Sequence, residues 1–119
     1  MKKNIVKDKS LDFAVRIVKL CRYLSSNKKE FIMSKQLLRS GTSVGAMIRE
    51  SEHAESKADF IHKLAIAQKE SNETLYWLEL LKKTNYLDKS EYESINSDAT
   101  EIIKLLTKII VTSRNNIKS

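Results

Sequence analysis

The sequence predicts an all-α protein, built as an antiparallel up-down-up-down four-helix bundle in one domain spanning residues 1–119. The chain contains no proline and two glycines, and it is rich in the good helix formers Leu, Ile, Lys and Glu. Apolar residues recur in steps of three and four along four segments, which short polar links separate. An apolar fraction of 41% suffices for a core. We expect a basic N-terminal tail over residues 1–9 and a frayed tail over 114–119.

The first two predicted helices each carry one apolar stripe. The first runs from Ser10, as its N-cap, to Ser26, and residues 25–30 form the following loop. Its stripe consists of Leu11, Ala14, Ile17, Val18, Cys21 and Leu24. The second helix starts at Phe31 or Ser34 and ends at Ala54. Its stripe consists of Leu37, Gly41, Val44 and Ile48, flanked by Met33 and Gly45.

The glycines Gly41 and Gly45 predict a close contact between helices. A glycine inside a helix costs about 1 kcal/mol relative to alanine, so a chain this poor in glycine needs a reason to place two there. Residues four apart lie on one face, and without side chains a neighbouring backbone can approach closely. The alternative is a break between two short helices. Because the apolar periodicity continues through both glycines, we favour close packing and expect leucine at either position to destabilise the bundle.

The third and fourth predicted helices begin at recognisable caps. Ser56, with Asp59 three residues later, starts the third helix, which runs to about residue 84. Its core stripe consists of Ile61, Leu64, Ser71, Leu75 and Leu78, with Gln68 in line. Asp88, with Glu91 three residues later, starts the fourth helix, which ends near Ser113. Its stripe consists of Tyr92, Ile95, Ala99, Ile102, Leu106 and Ile109, widened by Ile103 and Ile110.

The third helix has a second apolar face that predicts contact between subunits. Ile66, Trp77 and Leu80 lie opposite its core stripe, with Glu70 and Glu73 between them. A helix with apolar side chains on two sides is buried on two sides. In a four-helix monomer one of these sides would be exposed to solvent. We therefore predict that the five residues form an oligomer interface.

The positive charge is concentrated near the N-terminus. Residues 1–35 hold ten Lys and Arg against three Asp and Glu, which accounts for the whole net charge of +7, whereas residues 36–119 hold twelve of each sign. Such asymmetry indicates a polyanion partner. The simpler interpretation is a solvated lysine-rich face. The predicted phosphate-binding residues are Lys2, Lys3, Lys7, Lys9, Arg16, Lys19, Arg22, Lys28 and Lys29.

The sequence predicts neither an enzyme nor a cofactor. Glu50 with His53, and Asp59 with His62, have the spacing of bundle metal ligands, but both pairs lie away from the apolar stripes. The chain has no glycine-rich phosphate loop, no nucleophile-elbow motif and no second cysteine. The single Cys21 is expected to be an inert core residue. A reducing cytoplasm fits one cysteine and a charged N-terminus, and no segment is apolar enough for the membrane.

Two segments resemble a known family. They are residues 39–46, Arg-Ser-Gly-Thr-Ser-Val-Gly-Ala, followed by Ile48 and Glu50, and a second set in the third helix. The second set consists of Phe60, Leu64, Ile66, Ala67, Ser71, Glu73 and Trp77-Leu78-Glu79-Leu80. The chain is similar, over about residues 8–113, to four-helix-bundle proteins named after intervening sequences of bacterial 23S rRNA genes, also known as S23 ribosomal proteins. Met47 stands where Asn is common and Arg49 where a small residue is common.

The resemblance implies a ring-shaped homopentamer. It also implies kinship with the accessory protein of diversity-generating retroelements, a basic barrel thought to bind nucleic acid and a reverse transcriptase. The ribosomal label reflects gene location, so it does not make this chain a ribosome component. We therefore expect a non-enzymatic homo-oligomer that binds RNA or DNA or acts as a scaffold. The alternative is a structural adaptor whose ligand is another protein.

Overall fold

The computed structural model describes residues 4–118, which form four α-helices in a bundle of 51 × 25 × 22 Å. The helices are α1 (Ile5–Ser26), α2 (Met33–Ser51), α3 (Lys57–Lys83) and α4 (Lys89–Lys118). This confirms the all-α four-helix bundle. Within residues 4–118, no helix combines the length and the hydropathy that crossing a membrane requires.

Contacts between neighbouring helices show that the bundle is antiparallel. On α1 and α4, Lys9 pairs with Glu101 at 2.7 Å and Arg16 pairs with Asp98 at 2.8 Å, so rising numbers on one helix meet falling numbers on the other. The other neighbouring helices show the same opposed order in the pairs Ser10–Gly45 and Ile17–Gly41, Ser40–Thr74 and Glu50–Lys63, and Gln68–Thr107 and Lys82–Tyr92. The predicted up-down-up-down order is therefore confirmed.

The predicted start of α1 at Ser10 is wrong. The helix begins at Ile5, and the Asn4 side chain caps it by accepting a hydrogen bond of 3.0 Å from the backbone N–H of Lys7. Ser10 is buried inside the helix, and its hydroxyl donates to the carbonyl of Lys7 at 2.8 Å. Asn and Ser cap helices about equally well, so cap preference alone does not favour Ser10 over Asn4. Residues 5–9 of the predicted tail are therefore helical, while residues 1–3 lie outside the described part.

The core face of α1 is also rotated from the predicted stripe. Leu11, which was assigned to the core, is 50% exposed, and Ala14 and Val18 are half-buried. The buried side chains of α1 are Val6, Ser10, Phe13, Ile17, Leu20, Cys21 and Leu24. Val6, Phe13 and Leu20 share a face with Ile17 and Leu24, and this face, not that of Leu11 and Val18, is turned to the core.

Glu30, which was assigned to a loop, caps the N-terminus of α2. Its side chain is buried, and its carboxylate accepts backbone N–H groups from Ser34 at 2.9 Å and from Ile32 and Met33 at 3.2 Å each. These donors have no partner within the helix, so a carboxylate at this end satisfies them and complements the helix dipole. The helix therefore begins sharply at Met33.

α3 and α4 begin where the sequence predicts. The Ser56 hydroxyl accepts from the N–H of Asp59 at 3.0 Å, and the Asp88 carboxylate accepts from the N–H of Glu91 at 2.7 Å. The end of α4 differs from the prediction, since the helix passes Ser113 and continues to Lys118. The part of the expected tail between 114 and 118 is thus helical.

α1 passes close to both glycines of α2, which is one continuous helix. A Cβ atom built on Gly41 would lie 2.9 Å from both Cγ1 and Cγ2 of Ile17. A Cβ atom on Gly45 would lie 3.4 Å from the hydroxyl oxygen of Ser10. The contact at Gly41 is therefore the tighter of the two.

Candidate nucleic-acid interface

The first turns of α1 carry cations that are already paired within the chain. Lys7 Nζ lies 2.9 Å from Glu52 at the end of α2, and Lys9 Nζ lies 2.7 Å from Glu101 on α4. The hydrogen bond from Lys7 lowers the pKa of Glu52, and the hydrogen bond to Glu101 raises the pKa of Lys9. Both lysines were predicted to bind phosphate, and both have their charge compensated by the fold.

Arg16 is held by α4 in the same way. Its guanidinium donates to Asp98 and to the hydroxyl of Ser94, each at 2.8 Å, and it lies 3.6 Å from Glu91. A guanidinium that binds a carboxylate and a hydroxyl through separate nitrogens is fixed in place. Arg16 is therefore a poor candidate for an incoming phosphate.

The remaining predicted cations lie farther along the chain and are open to solvent. Lys19, Arg22, Lys28 and Lys29 are exposed on the second half of α1 and the loop that follows. None of them has an ion-pair partner within the described chain. The ammonium of Lys28 lies 6.0 Å from the ring centroid of Tyr23. The predicted residues Lys2 and Lys3 lie outside the described residues.

The antiparallel topology adds further cations to the same end of the bundle. The end of α1 meets the start of α2, the end of α3 and the start of α4. Lys35 and Lys82 thereby join this end without an ion-pair partner among the residues described, and Lys82 lies 4.7 Å from the ring centroid of Tyr92. We call this surface the basic end, and it comprises Lys19, Arg22, Lys28, Lys29, Lys35 and Lys82.

A groove opens beside the basic end, between α1 and the link from α3 to α4. It has a volume of about 740 Å³. Its α1 side carries Lys19 and Tyr23, and its link side carries Asn85 and Tyr86. Asn85 adopts a left-handed backbone with φ 68°, a conformation that asparagine tolerates better than most residues. The groove thus combines two tyrosines with unpaired ammonium groups.

The predicted subunit face of α3 is half-covered within one chain. Ile66, Trp77 and Leu80 are each half-buried, and Trp77 packs against the core. Beside them Tyr76 is 57% exposed, and its ring meets that of Trp77 edge-on at a centroid distance of 5.0 Å. This face offers less open apolar surface than the sequence pattern indicates.

The two glutamates of that face are bound by Arg39 of α2. The guanidinium donates to Glu70 at 3.0 Å and forms a second ion pair with Glu73. Glu73 also accepts from the indole N–H of Trp77 at 3.0 Å. The bond from Trp77, followed by the bond from Arg39, lowers the pKa of Glu73. The carboxylates of Glu70 and Glu73 therefore have partners within a single chain.

Sequence reasoning missed an exposed apolar strip along the outside of α1 and α2. Its most exposed members are Phe31 and Ile32, at 60% and 80%, in the loop before α2. We call it the α1–α2 strip, and it comprises Leu11, Val15, Phe31, Ile32 and Leu38. The signal was present in the sequence, because Leu11 and Val15 are one helical turn apart. Leu11 was assigned to the core stripe, and Val15 was assigned to no surface.

The residues considered for catalysis or metal binding do not form a site in the described part of the chain. The thiol of Cys21 is buried and donates to the carbonyl of Ser34 at 3.3 Å. Burial, with a smaller contribution from Glu30, raises its pKa to about 11. His53 and His62 are exposed. Among residues 4–118, no three His, Cys, Asp or Glu side chains come together as metal ligands would.

Comparisons with known proteins agree with the resemblance noted in the sequence. The model of the family described as 23S rRNA-intervening sequence protein matches residues 2–108. The chain is 67% identical to a protein of unknown function from the S23 ribosomal protein family of Bacteroides thetaiotaomicron VPI-5482, whose crystal structure was solved at 1.70 Å. That match has a TM-score of 0.88 and covers 88% of this chain and 97% of the other. A comparison with curated proteins finds no match. Four helices, matched motifs and a family model that spans most of the sequence together establish that the chain belongs to the 23S rRNA-intervening sequence protein family.

Proposed function

We propose that this protein is a non-enzymatic homo-oligomer that binds nucleic acid through the basic end. The observation that carries the proposal is the separation of the cations into two groups. Lys7, Lys9 and Arg16 are paired with carboxylates, whereas the basic end holds six cations without such partners in the described chain. Unpaired cations on one surface attract a polyanion, because their charge is not cancelled at short range.

The chemistry of the basic end favours phosphate over base recognition. Five of its six cations are lysines, whose ammonium groups act as point charges without the planar fork of arginine. Such contacts fix a strand by its backbone and carry no sequence information. Each subunit would bind weakly, and an oligomer would multiply the contact through avidity.

Self-association is supported by apolar surface that one chain leaves open. The side chains of the α1–α2 strip are exposed, whereas Ile66, Trp77 and Leu80 of the predicted α3 face are each half-buried. Contiguous exposed apolar side chains usually mark an interaction site. We therefore propose that the α1–α2 strip joins the predicted α3 face in the contact between subunits. Five subunits is the number that the family resemblance implies.

The nucleic-acid proposal is tested by removing three charges from the basic end. Lys19, Arg22 and Lys28 are changed together to glutamine, and binding to a labelled RNA is titrated near physiological salt. The matched control changes Lys104, Lys108 and Arg114, which are exposed at the other end of the bundle, and so loses the same net charge. We expect the first variant to bind RNA at least about tenfold more weakly than the wild type. The slope of log affinity against log salt concentration should become shallower by about 2–3, about one for each lost phosphate contact.

Equal losses in the two triple variants would mean that net charge alone causes binding. Absence of binding by the wild-type protein would remove the proposal and favour the adaptor, whose ligand is another protein.

The assembly proposal is tested by light scattering at fixed protein concentration. Val15→Glu and Trp77→Glu each place a charge in one of the two apolar surfaces, and each should reduce the particle mass while far-UV helicity persists. Val111→Glu on α4 is the control, because Val111 is 50% exposed and belongs to neither surface. An unchanged mass in the Val15 and Trp77 variants would exclude both surfaces as subunit contacts.

A further inference from the structure

The groove beside the basic end has the features of a site for an unpaired base. Its volume of about 740 Å³ falls within the range of pockets that hold small organic ligands, which is about 300–1,000 Å³. Tyr23 on α1 is 44% exposed, so its ring can accept another ring against it. Tyr86 lines the groove from the link and is half-buried. Sequence separates these tyrosines widely, and only the fold brings them to one groove.

The charges around the groove favour a base that is attached to a phosphate backbone. Lys19 and Lys28 line it on the α1 side, and neither has an ion-pair partner within residues 4–118. The acidic residues of the lining are engaged, since Glu91 faces Arg16 at 3.6 Å and Asp88 caps α4. The Lys28 ammonium lies over one face of the Tyr23 ring, at 6.0 Å from its centroid. A base stacked on the other face would have Lys19 and Lys28 near it for the flanking phosphates.

We infer that this groove binds a base of single-stranded nucleic acid, stacked on Tyr23, with its flanking phosphates on Lys19 and Lys28. The inference rests on the proposed function and specifies its ligand. In a duplex the bases are stacked on one another and paired, so a tyrosine in a groove cannot reach a base face. Stacking accepts every base, because each has a π-face, so the strand is bound without strong sequence preference.

The side chain of Asn85 supplies the polar group that such a site needs. It is exposed at the groove, and its amide can both donate to and accept from the edge of a base. The combination of Tyr23, Asn85 and unpaired lysines therefore points to a nucleotide with its base exposed.

The test compares strand form and tyrosine chemistry in the full chain. Fluorescence anisotropy measures the binding of a labelled 20-nucleotide RNA, a DNA of the same sequence, and the duplex of each. Tyr23→Ala and Tyr23→Phe are compared with Tyr76→Ala, whose ring is also exposed but lies on the outside of α3. Circular dichroism checks the fold of each variant.

We expect single strands to bind at least about tenfold more tightly than duplexes. Tyr23→Ala should weaken single-strand binding by about 5- to 150-fold, the range that loss of one stacked base produces. Tyr23→Phe keeps the ring and should bind as the wild type does. Tyr76→Ala should bind as the wild type does when light scattering shows an unchanged particle mass, because Tyr76 contacts Trp77 of the proposed subunit face.

Equal binding of single strands and duplexes, unaffected by Tyr23→Ala, would overturn the inference. The proposed function would survive that result, because the basic end would still bind backbone phosphate. Absence of binding to every strand would overturn both. Lys28→Gln gives a second readout, since it should weaken single-strand binding and leave the tyrosine ring in place.

Discussion

Gly41→Ala should destabilise this bundle, although alanine is the better helix former. The new Cβ atom would lie 2.9 Å from Cγ1 and Cγ2 of Ile17, whereas carbon atoms in contact prefer about 3.5–4.0 Å. Both Ile17 atoms are bonded directly to its Cβ, and the side chain is fully buried, so rotation does not relieve the clash. Overpacking costs about 1–3 kcal/mol and helix propensity returns about 1 kcal/mol. The expected net loss is up to about 2 kcal/mol.

Gly45→Ala, four residues along the same helix, is the matched control. Its Cβ atom would lie 3.4 Å from the Ser10 hydroxyl oxygen and 3.5 Å from the Ser10 carbonyl oxygen, which are tolerable contacts. Gly45→Ala should therefore keep most of the gain in helix propensity and raise the free energy of unfolding by about 1 kcal/mol at most. The two substitutions are chemically identical, so the difference between them, about 1–3 kcal/mol, reports the space at each glycine.

Thermal and urea unfolding, followed by circular dichroism, measure this difference. A change of 1 kcal/mol shifts the midpoint of a domain of this size by about 3–6 °C. Protein concentration is held constant, because an oligomer's stability depends on it. Ile17→Ala removes the clashing atoms, so the double variant should show a favourable coupling above about 0.5 kcal/mol. Stabilisation by Gly41→Ala, or additivity with Ile17→Ala, would refute the proposed close contact.

Three further predictions follow from single side chains. Glu30→Ala should lower the free energy of unfolding by about 1–3 kcal/mol in urea titrations, because three backbone donors lose their acceptor. The lowered pKa of Glu73 means that its charge stabilises the fold above its unfolded pKa of about 4.3, and that this stability is lost as pH falls through the folded value. Glu73→Gln should therefore flatten the acid side of the stability curve. With its pKa raised to about 11, Cys21 should react with iodoacetamide at pH 8 on the order of 100-fold more slowly than in urea.

The fold was largely readable from the sequence, since helix number and order depend on local signals. Ser56 and Asp88 each precede an apolar repeat and cap a helix as expected. The start of α1 was misread because Asn4 and Ser10 are equally good caps, and only packing separates them. Ser10 is buried where α1 meets Gly45, and nothing local to Ser10 signals that contact.

The candidate site was less predictable, because charge compensation is a property of the fold. A count of charged residues along the sequence does not distinguish Lys9, Arg16 and Lys19. The structure places Glu101 and Asp98 of α4 beside the first two and leaves Lys19 unpaired within the described chain. These partners are more than eighty residues away in sequence, so no local pattern predicts them. Lys82 was overlooked for the same reason, since its region is neutral overall and joins the basic end only through topology.

The distribution of charge along α1 explains why binding is proposed at one end of the bundle and assembly along its side. Glu52 at the end of α2 and carboxylates of α4 pair with the cations of α1 as far as Arg16, and such exposed pairs add little stability but lower the local potential. The cations of α1 beyond Arg16 have no such partners among residues 4–118, and they repel one another until a polyanion or salt screens them. The α1–α2 strip lies beside Arg22 and Lys35, whereas Lys19 and Lys28 line the groove toward α4, so a subunit contact on the strip would leave Lys19 and Lys28 open. Assembly would then place several basic ends in one particle, and weak phosphate contacts would act together on one strand.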